Sequence, residues 1–521
     1  MSQSANRSGV VAAGHPLTAA AGAEILRQGG NAFDAAIAAV MTAWVTESVL
    51  TSAGGGGFLL AHTQSGKNRL FDFFTQTPKN NRLSIKPDFY PIHANFGDTV
   101  QEFHIGLGSI AVPGMVAGLL HVHQQLGRLP LTTISQPAIK QAQQGVTVSP
   151  FLAYLFDLLT PILTATPAAQ TLYTTQNGRV LQTGDTLQMP ELADMLQLIA
   201  EQGATAFYRG AIAHQIVHDC QTLGGYLTLE DFQQYQVIER EPLSVQYRDT
   251  VLLTNPPPSS GGMLIAFALE LLESLDLSQL AHGGDEHLSC LAQVMAITNG
   301  ARRQRLDHAI MDDRITQKFL SSECLSTYRQ LLADRINRLG STTHVSVIDA
   351  EGNAASVTTS NGEGSSYVVP QTGIMMNNML GEEDLHPQGF HQWQPDQRIS
   401  SMMAPTMILR EGKPYIVLGS GGSNRIRTAI LQVISNVVDF HLPLAAAIEA
   451  PRIHWERGTL QGEPQETGSV ETLLPLPDTK AAIAWGQPNL YFGGVHAVGI
   501  GGYGTFQGAG DPRRGGAVAI A

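Results

Sequence analysis

One stretch of the sequence, residues 342–360, constrains the fold more than any other. From residue 343 to 348, β-branched residues alternate with His and Ser, which is the period and composition of a β-strand. Residues 349–353 include Asp, Gly and Asn, which favour a turn. Residues 354–360 are again small or β-branched. The stretch therefore predicts a β-hairpin whose first strand opens with two threonines.

The threonine at the start of this hairpin, Thr342, has one special chemical use. If the chain is cut between Ser341 and Thr342, the side-chain hydroxyl and the new α-amine belong to the same residue. The amine then serves as the base for the hydroxyl, without a separate histidine. The alternative is an ordinary hairpin that happens to begin with hydroxyl residues. The hairpin alone leaves both interpretations open.

A second informative segment joins a strand to a helix through glycines. Residues 415–418 predict a strand, residues 419–423 read Gly-Ser-Gly-Gly-Ser, and a helix is expected from Ile426. Backbone N–H groups at such a turn can bind an anion, including the oxyanion of an acyl-transfer intermediate. The alternative is a tight turn that needs glycine only for its backbone angles.

Composition narrows the class of protein. Of the 521 residues, 43% are apolar, which is enough for a large core. The formal charge is −13 and no run of Lys or Arg occurs, so nucleic acid and anionic membranes are not expected as partners. The first residues do not read as a secretory signal, and the most apolar run, 35–45, is too short to span a bilayer. We therefore expect a soluble cytoplasmic protein.

The order of predicted elements along the sequence indicates an α+β fold, because strands and helices occur in clusters and do not alternate strictly. Residues 314–338 are highly charged and have little periodicity, which predicts an exposed connector that ends at Ser341.

Neither a metal nor a cofactor is expected. The glycines at 54–57 do not complete a dinucleotide-binding or phosphate-binding motif. The histidines at 282, 287, 386 and 391 lack a recognisable metal-binding spacing, and the three cysteines are scattered.

The segments described above, together with several others, resemble the γ-glutamyltransferase family of N-terminal-nucleophile hydrolases. The resemblance runs from Val10 to nearly the last residue. It is carried by the order and spacing of motifs at 29–36, 54–58, 113–118, 258–262, 342–344, 377–378, 400–402, 419–423 and 511–513.

This resemblance implies a four-layer αββα sandwich. It also implies a precursor that cleaves itself before Thr342 into segments 1–341 and 342–521, which stay associated as one catalytic domain. Thr342 would be both the agent of the cut and the catalytic nucleophile. The substrate would be a small γ-glutamyl amide such as glutathione, and the acyl group would pass to water or to an amine. Further homo-oligomerisation is left open.

The family's residues near the nucleophile fall on Ser360, Gly421 and Gly422. Ser360 takes the place of a second hydroxyl that is usually threonine, and the two glycines would supply the oxyanion site.

The family's substrate-binding residues fall on a further group of positions. Ser400 and Ser401 match the paired serines that hold the substrate carboxylate. Glu382 matches the acid that holds the α-amine, usually an aspartate, and Asn361 matches a further amine-binding residue through a loose alignment.

One position, Phe74, departs from the family pattern. It stands where the family has an arginine for the glutamyl α-carboxylate. A neutral aromatic ring cannot form a charge-assisted bond to a carboxylate, and the loss of one such contact costs about 1.5–3 kcal/mol of binding. Three hypotheses remain: a γ-glutamyltransferase-like enzyme, an acylase of the same family with another acyl group such as glutaryl or a β-lactam side chain, and an unprocessed, non-catalytic binding protein.

Overall fold

The computed structural model describes residues 8–81, 83, 85–95, 100–330, 342–386, 389–465, 468–473 and 479–521. Ser341, on one side of the predicted cleavage site, lies outside these ranges. Within them the fold mixes helices and strands. None of the described helices combines the length and apolar character needed to cross a membrane.

The strands are β1 (Gly9–Ala13), β2 (Gly56–His62), β3 (Asn68–Phe73), β4 (Tyr90–Asn95), β5 (Val100–Ile105), β6 (Val146–Thr147), β7 (Thr186–Leu187), β8 (Ile238–Arg240), β9 (Leu243–Tyr247), β10 (Thr250–Thr254), β11 (Thr343–Asp349), β12 (Ala354–Ser360), β13 (Thr406–Arg410), β14 (Lys413–Gly421), β15 (Ile453–Glu456), β16 (Thr459–Gly462), β17 (Ala481–Ala484), β18 (Gly494–Ile500), β19 (Phe506–Ala509) and β20 (Ala517–Ile520).

The α-helices are α1 (Pro16–Arg27), α2 (Ala32–Thr46), α3 (Met115–Leu126), α4 (Leu131–Ile134), α5 (Gln136–Gln144), α6 (Pro150–Leu158), α7 (Thr160–Leu163), α8 (Pro167–Tyr173), α9 (Pro190–Gln202), α10 (Ala204–Tyr208), α11 (Ala211–Leu223), α12 (Leu229–Gln234), α13 (Ser260–Leu272), α14 (Asp285–Ala301), α15 (Ile315–Phe319), α16 (Ser322–Gln330), α17 (Arg425–Val438) and α18 (Leu444–Glu449).

Two antiparallel sheets lie at the centre. The first has the strand order β20-β1-β11-β12-β2-β3-β8, and the second has the order β19-β18-β14-β13-β10-β9. They contact each other through β11 and β12 of the first sheet and β14 and β18 of the second. Helices α1 and α2 pack on the first sheet, and α13 and α17 pack on the second. Both sheets combine strands from segments 1–341 and 342–521.

The hairpin predicted from the sequence is confirmed. β11 pairs with β12, with Thr343 opposite Thr359, and β12 also pairs with β2. Every residue of both strands is buried. Because side chains alternate along a strand, Val345 faces the apolar core beneath α2, while Ser346 donates to the carbonyl of His496 in the other sheet at 3.1 Å. His344 and Ser346 therefore face the second sheet, whereas Thr343, on the same side of the strand as Val345, faces Glu47.

Helix α2 accounts for the most apolar run in the sequence. All of its residues are buried, and it packs directly on β11 and β12. A helix without a polar face is stable in water only when other layers cover it on all sides. Asn31 and Asp34 form a capping box at its start, and Glu47 follows its last residue. This buried helix carries Glu47 to the base of the hairpin.

The prediction that residues 314–338 form an exposed connector is wrong for residues 314–330. Helices α15 and α16 occupy the segment, and Phe319 and Tyr328 are buried. Their rings lie 4.8 Å and 5.7 Å from the ring of Phe267 in α13. The many charged residues of this segment obscured the few aromatic residues that attach it to the core. Residues 331–338 lie outside the described ranges.

Candidate active site

Thr342 lies where the two sheets meet. It immediately precedes β11 and is buried. Its carbonyl oxygen accepts a hydrogen bond from Nη1 of Arg514 at 3.3 Å. A methyl group added at Gly421 would lie 1.9 Å from the same oxygen. The start of the hairpin and the glycine turn, which are far apart in the sequence, are therefore in backbone contact.

The glycine turn has the local structure that the sequence predicts. Strand β14 runs through Gly421, and α17 begins at Arg425. Gly422 has φ +123°, a conformation that residues with a side chain rarely adopt. Gly421 is required by the close approach of Thr342, and Gly422 is required by its own backbone angle.

One cavity brings together most of the residues that the sequence indicates. Its lining includes Thr342, Ser360, Phe74, Glu382, Ser400 and Ser401. Gly421 and Gly422 are not in its lining, but Gly421 contacts the Thr342 carbonyl and the residue after the pair, Ser423, lines the cavity. Asn361 does not line it either; its side-chain amide donates to the carbonyls of Met375 and Met376 at 3.3 Å and 3.4 Å. An amine-binding role for Asn361 stays a prediction.

The loop after β12 holds Ser360 next to Glu382. The Ser360 hydroxyl accepts from the N–H of Gly362 at 3.1 Å. Gly362 has φ +62°, and a methyl group there would lie 2.3 Å from Oε1 of Glu382. Only glycine allows the loop to pass this close to the carboxyl group of Glu382.

The serine pair is held from behind by the turn at residues 256–260. The Ser400 hydroxyl donates to the carbonyl of Pro258 at 2.8 Å, and the Ser401 hydroxyl accepts from the N–H of Met403 at 3.0 Å. The N–H of Ser260 donates to the Ser401 carbonyl at 2.8 Å. The proline- and serine-rich motif at 258–262 therefore positions the two cavity-lining serines.

Phe74 gives the cavity an apolar wall. Its ring stacks on Phe58 with the centroids 5.5 Å apart. The nearby Arg398 is held by other groups: its Nε is 3.4 Å from Asp72, and its guanidinium donates to the carbonyl of Phe74 and to Tyr235. Arg398 lines a neighbouring cavity and not the one that contains Thr342.

Several buried arginines surround the glycine turn. Burial lowers the pKa of both Arg427 and Arg514 to about 10, so both remain cationic at neutral pH. Arg425 donates to the carbonyl of Tyr491 at 3.0 Å and begins α17. Arg427 pairs with the buried Glu456 at 3.8 Å, whereas Arg514 lies against both glycines of the turn, near the positive end of the α17 helix dipole. The surroundings of the turn therefore favour an anion.

Glu47 is a residue that the sequence analysis missed. Its fully buried carboxyl group accepts hydrogen bonds from Thr343 at 2.5 Å and from Thr18 at 3.0 Å. Burial raises its pKa from 4.5 to about 7, against the opposing effects of those two hydrogen bonds and of Arg514. In the sequence, the signal that pointed to Glu47 was its position directly after a helix without a polar face. Glu47 fixes the residue that follows Thr342.

Arg302, Asp307 and Arg514 were also missed. Arg302 and Asp307 line the cavity, and Arg514 contacts the Thr342 carbonyl. No local pattern marks Arg302 or Asp307, because their neighbours in the cavity are distant in sequence. Arg514 directly follows the recognised motif at 511–513.

Two of the histidines considered as metal ligands, His386 and His282, are hydrogen-bonded to protein atoms. His386 pairs with the carbonyl of Met379 at 2.9 Å, and His282 pairs with Asn436 at 2.9 Å. In the ranges that the structure describes, no group of three or more His, Cys, Asp or Glu side chains is placed to hold a metal ion.

The buried carboxyl of Glu47 should make stability depend on pH. Because the folded state keeps this proton up to a pKa of about 7, its stabilising contribution is complete below pH 4.5 and is lost as the pH rises to about 7. Glu47→Gln does not titrate. Between pH 4.5 and 7.5, we expect the free energy of unfolding of the variant to rise relative to that of the wild type by on the order of 3 kcal/mol. Urea unfolding at several pH values measures the difference, and parallel curves would contradict this assignment.

Comparison with known proteins identifies the family. The sequence matches the Gamma-glutamyltranspeptidase family over residues 18–521. It is 31% identical to the glutathione hydrolase proenzyme of Escherichia coli (strain K12), over 97% of this chain and 90% of that protein. It is also 31% identical to the acylase ACY 1 proenzyme of Pseudomonas sp. (strain SE83), over 96% of this chain and 91% of that protein.

Among solved structures, the fold is similar to that of a cephalosporin acylase from Bacillus halodurans. The TM-score is 0.84 at 26% sequence identity, and the match covers 98% of this chain and 96% of the acylase. The match to the family extends over nearly the whole sequence and includes every residue of the cavity described above. The chain therefore belongs to the γ-glutamyltranspeptidase family.

Proposed function

We propose that this protein is a self-processing amidohydrolase and acyltransferase in which Thr342 is the nucleophile. One observation carries the proposal: a single cavity is lined by Thr342, Ser360, Glu382 and the serine pair, and the glycine turn contacts Thr342 through Gly421. The names of two relatives, both proenzymes, support processing of the chain.

In the proposed reaction, the Thr342 hydroxyl attacks the carbonyl carbon of an acyl amide while the α-amine of Thr342 takes its proton. The tetrahedral oxyanion is stabilised by the N–H groups of the turn at Gly421 and Gly422. The carbon–nitrogen bond then breaks, and the proton passes to the leaving amine. The resulting threonyl ester is attacked by water or by a second amine, which releases the acyl product and restores the hydroxyl.

The two segments are expected to remain one body after cleavage at the Ser341–Thr342 bond. The first sheet places β11 and β12 of segment 342–521 between β1 and β2 of segment 1–341. Separating the segments would break hydrogen bonds along both edges of the hairpin and expose its buried faces. With α1 and α2 outside one sheet and α13 and α17 outside the other, the proposed architecture is the four-layer αββα sandwich.

An acylase with another acyl group is the second candidate. Phe74 favours acyl groups without a carboxylate at this place, because the ring presents an apolar wall where the family arginine would meet the α-carboxylate. The similarity to both a glutathione hydrolase and an acylase is compatible with either substrate class. Two anilides separate the candidates, because γ-glutamyl and glutaryl groups differ only in the α-amine.

The first prediction of this proposal concerns maturation. Purified wild-type protein should give two fragments of 341 and 180 residues that migrate together, because cleavage leaves the sheets intact. Thr342→Ala should remain one chain and release no nitroaniline from either anilide. Intact-mass spectrometry measures the cut. A Thr342→Ala protein that still splits at this bond would remove Thr342 as its agent.

The second prediction concerns the oxyanion site. Gly421→Ala places a methyl group against the Thr342 carbonyl and should displace the turn. We expect kcat to fall about a hundredfold or more, the effect of losing one oxyanion donor. Steady-state kinetics on fully cleaved, folded protein measures it. Normal kcat together with a lower thermal midpoint would show that the glycines serve only the turn.

The third prediction concerns Glu382. If its carboxylate holds a substrate amine, Glu382→Gln should raise KM for γ-glutamyl p-nitroanilide about tenfold or more and leave that for the glutaryl compound nearly unchanged, because only the former has an ammonium group. An equal rise in KM for both compounds would contradict the amine-binding role of Glu382. A wild-type preference for the glutaryl compound would favour the second candidate.

A further inference from the structure

The cavity that contains Thr342 is lined by an arginine that has no counterpart in the family motifs recognised from the sequence. Phe74 lacks the expected positive charge, and Arg398, which donates to the carbonyl of Phe74, does not line this cavity. Of the described residues that line this cavity, Arg302 is the cationic one. We propose that Arg302 binds a carboxylate of the substrate and so selects acyl amides that carry one. This inference rests on the proposed function and specifies its substrate class.

The local backbone places Arg302 at the cavity. Helix α14 ends at Ala301, and residues Arg302–Leu306 form a π-helical turn. The N–H of Asp307 donates to the carbonyl of Arg302 at 2.9 Å, the five-residue spacing of a π-helix. In a regular α-helix, residues five apart would point about 140° away from each other. The wider turn brings Oδ1 of Asp307 to 2.9 Å from Nε of Arg302.

A second contact fixes the guanidinium beside the glycine turn. Nη1 of Arg302 donates to Oδ1 of Asn424 at 2.9 Å. Asn424 is buried and lies between Ser423, which lines the cavity, and the start of α17. The Arg302 side chain is only 16% exposed. It is therefore a preorganised charge that faces little competition from water.

The charges around the cavity indicate what it can accommodate. Asp307 and Glu382 are the acidic residues in the described lining, and Arg302 faces them as the single cation. A planar guanidinium matches the geometry of a carboxylate, and Asp307 and Asn424 hold it in one orientation. A substrate carboxylate next to Arg302 and an amine next to Glu382 would each meet the opposite charge. Simple uncharged acyl groups would leave these charges without a partner from the substrate.

The test compares donors that differ in one charge. Glutaryl p-nitroanilide carries a terminal carboxylate, and butyryl p-nitroanilide does not. Arg302→Gln should raise KM for the glutaryl donor about tenfold to a hundredfold, the effect of losing one charged hydrogen bond, and change that for the butyryl donor less than threefold. Arg302→Lys should recover part of the loss because it keeps the charge. Arg305→Gln is the matched control, because Arg305 lies on the same turn, is exposed, and does not line the cavity.

A further pair of donors locates the carboxylate. The two donors are γ-glutamyl anilides, one with an uncharged leaving group and one with a carboxylated leaving group. If Arg302 binds the acyl carboxylate, Arg302→Gln should raise KM equally for both. A rise in KM confined to the carboxylated leaving group would contradict a role for Arg302 in selecting the acyl group. An equal rise in KM for the glutaryl and butyryl donors, or no rise for either, would overturn the proposal.

Binding without turnover keeps this inference separate from the proposed function. Glutarate should bind wild-type protein in calorimetry and bind Arg302→Gln at least tenfold more weakly, while neutral glutaramide should not distinguish them. If Arg302→Gln fails to fold, Arg302→Gln/Asp307→Asn removes both charges of the pair and gives the same comparison. Unchanged glutarate binding in either variant contradicts the inference. A chain that stays uncleaved and inactive but binds glutarate through Arg302 contradicts only the proposed function.

Discussion

The backbone contact between Thr342 and the glycine turn is the constraint on which the rest of this structure depends. Thr342 precedes a strand of the first sheet, and Gly421 ends a strand of the second. The two can touch only when the sheets pack at one separation and in one register. Because packed cores do not deform continuously, the packing of the two sheets and the geometry of the site are the same requirement. Helix α2, covered on every side, holds the hairpin against the second sheet.

The contact lies within a set of buried charges. Arg452 and Arg513 share Asp511, at 2.6 Å and 3.3 Å, and Arg513 also pairs with Glu463 at 2.5 Å. An unpaired buried charge is strongly destabilising, so each of these groups depends on its partner. The chain is only 14% charged, yet it buries several arginines near the turn. Arg452 and Arg513 are balanced by Asp511 and Glu463, so Arg514 and the start of α17 supply the positive field next to the turn.

The cavity combines residues of the recognised motifs with residues that lie outside them. Thr342, the glycine turn and the serine pair all lie within the range that matches the family, in motifs recognised from the sequence. Phe74 departs from them, and the π-helical turn at Arg302 brings a positive charge to the same cavity from another element. Function resides in such sites and not in the fold itself, and relatives named glutathione hydrolase and acylase are both 31% identical to this chain.

Local patterns in the sequence determined much of this structure. The hairpin at Thr342 and the glycine turn are confirmed because strand periodicity and glycine placement reflect short-range sterics and hydrogen bonding. The mixed helix and strand content and the family were predicted correctly from the order of motifs. The connector at 314–338 was wrong because local charge does not reveal that Phe319 and Tyr328 reach a distant helix.

Only the tertiary structure placed Glu47, Arg302, Asp307 and Arg514 beside the residues that the motifs identified. Each reaches the site through contacts between residues far apart in the chain, such as Glu47 with Thr343 and Arg302 with Asn424. Local sequence contains no record of such distances. The sequence by itself determined which backbone segments form the nucleophile strand and the turn, because those depend on neighbouring residues. The packing of the two sheets and the course of the chain after α14 decided which charges surround them, because electrostatic interactions depend on separation in space and not on separation in sequence.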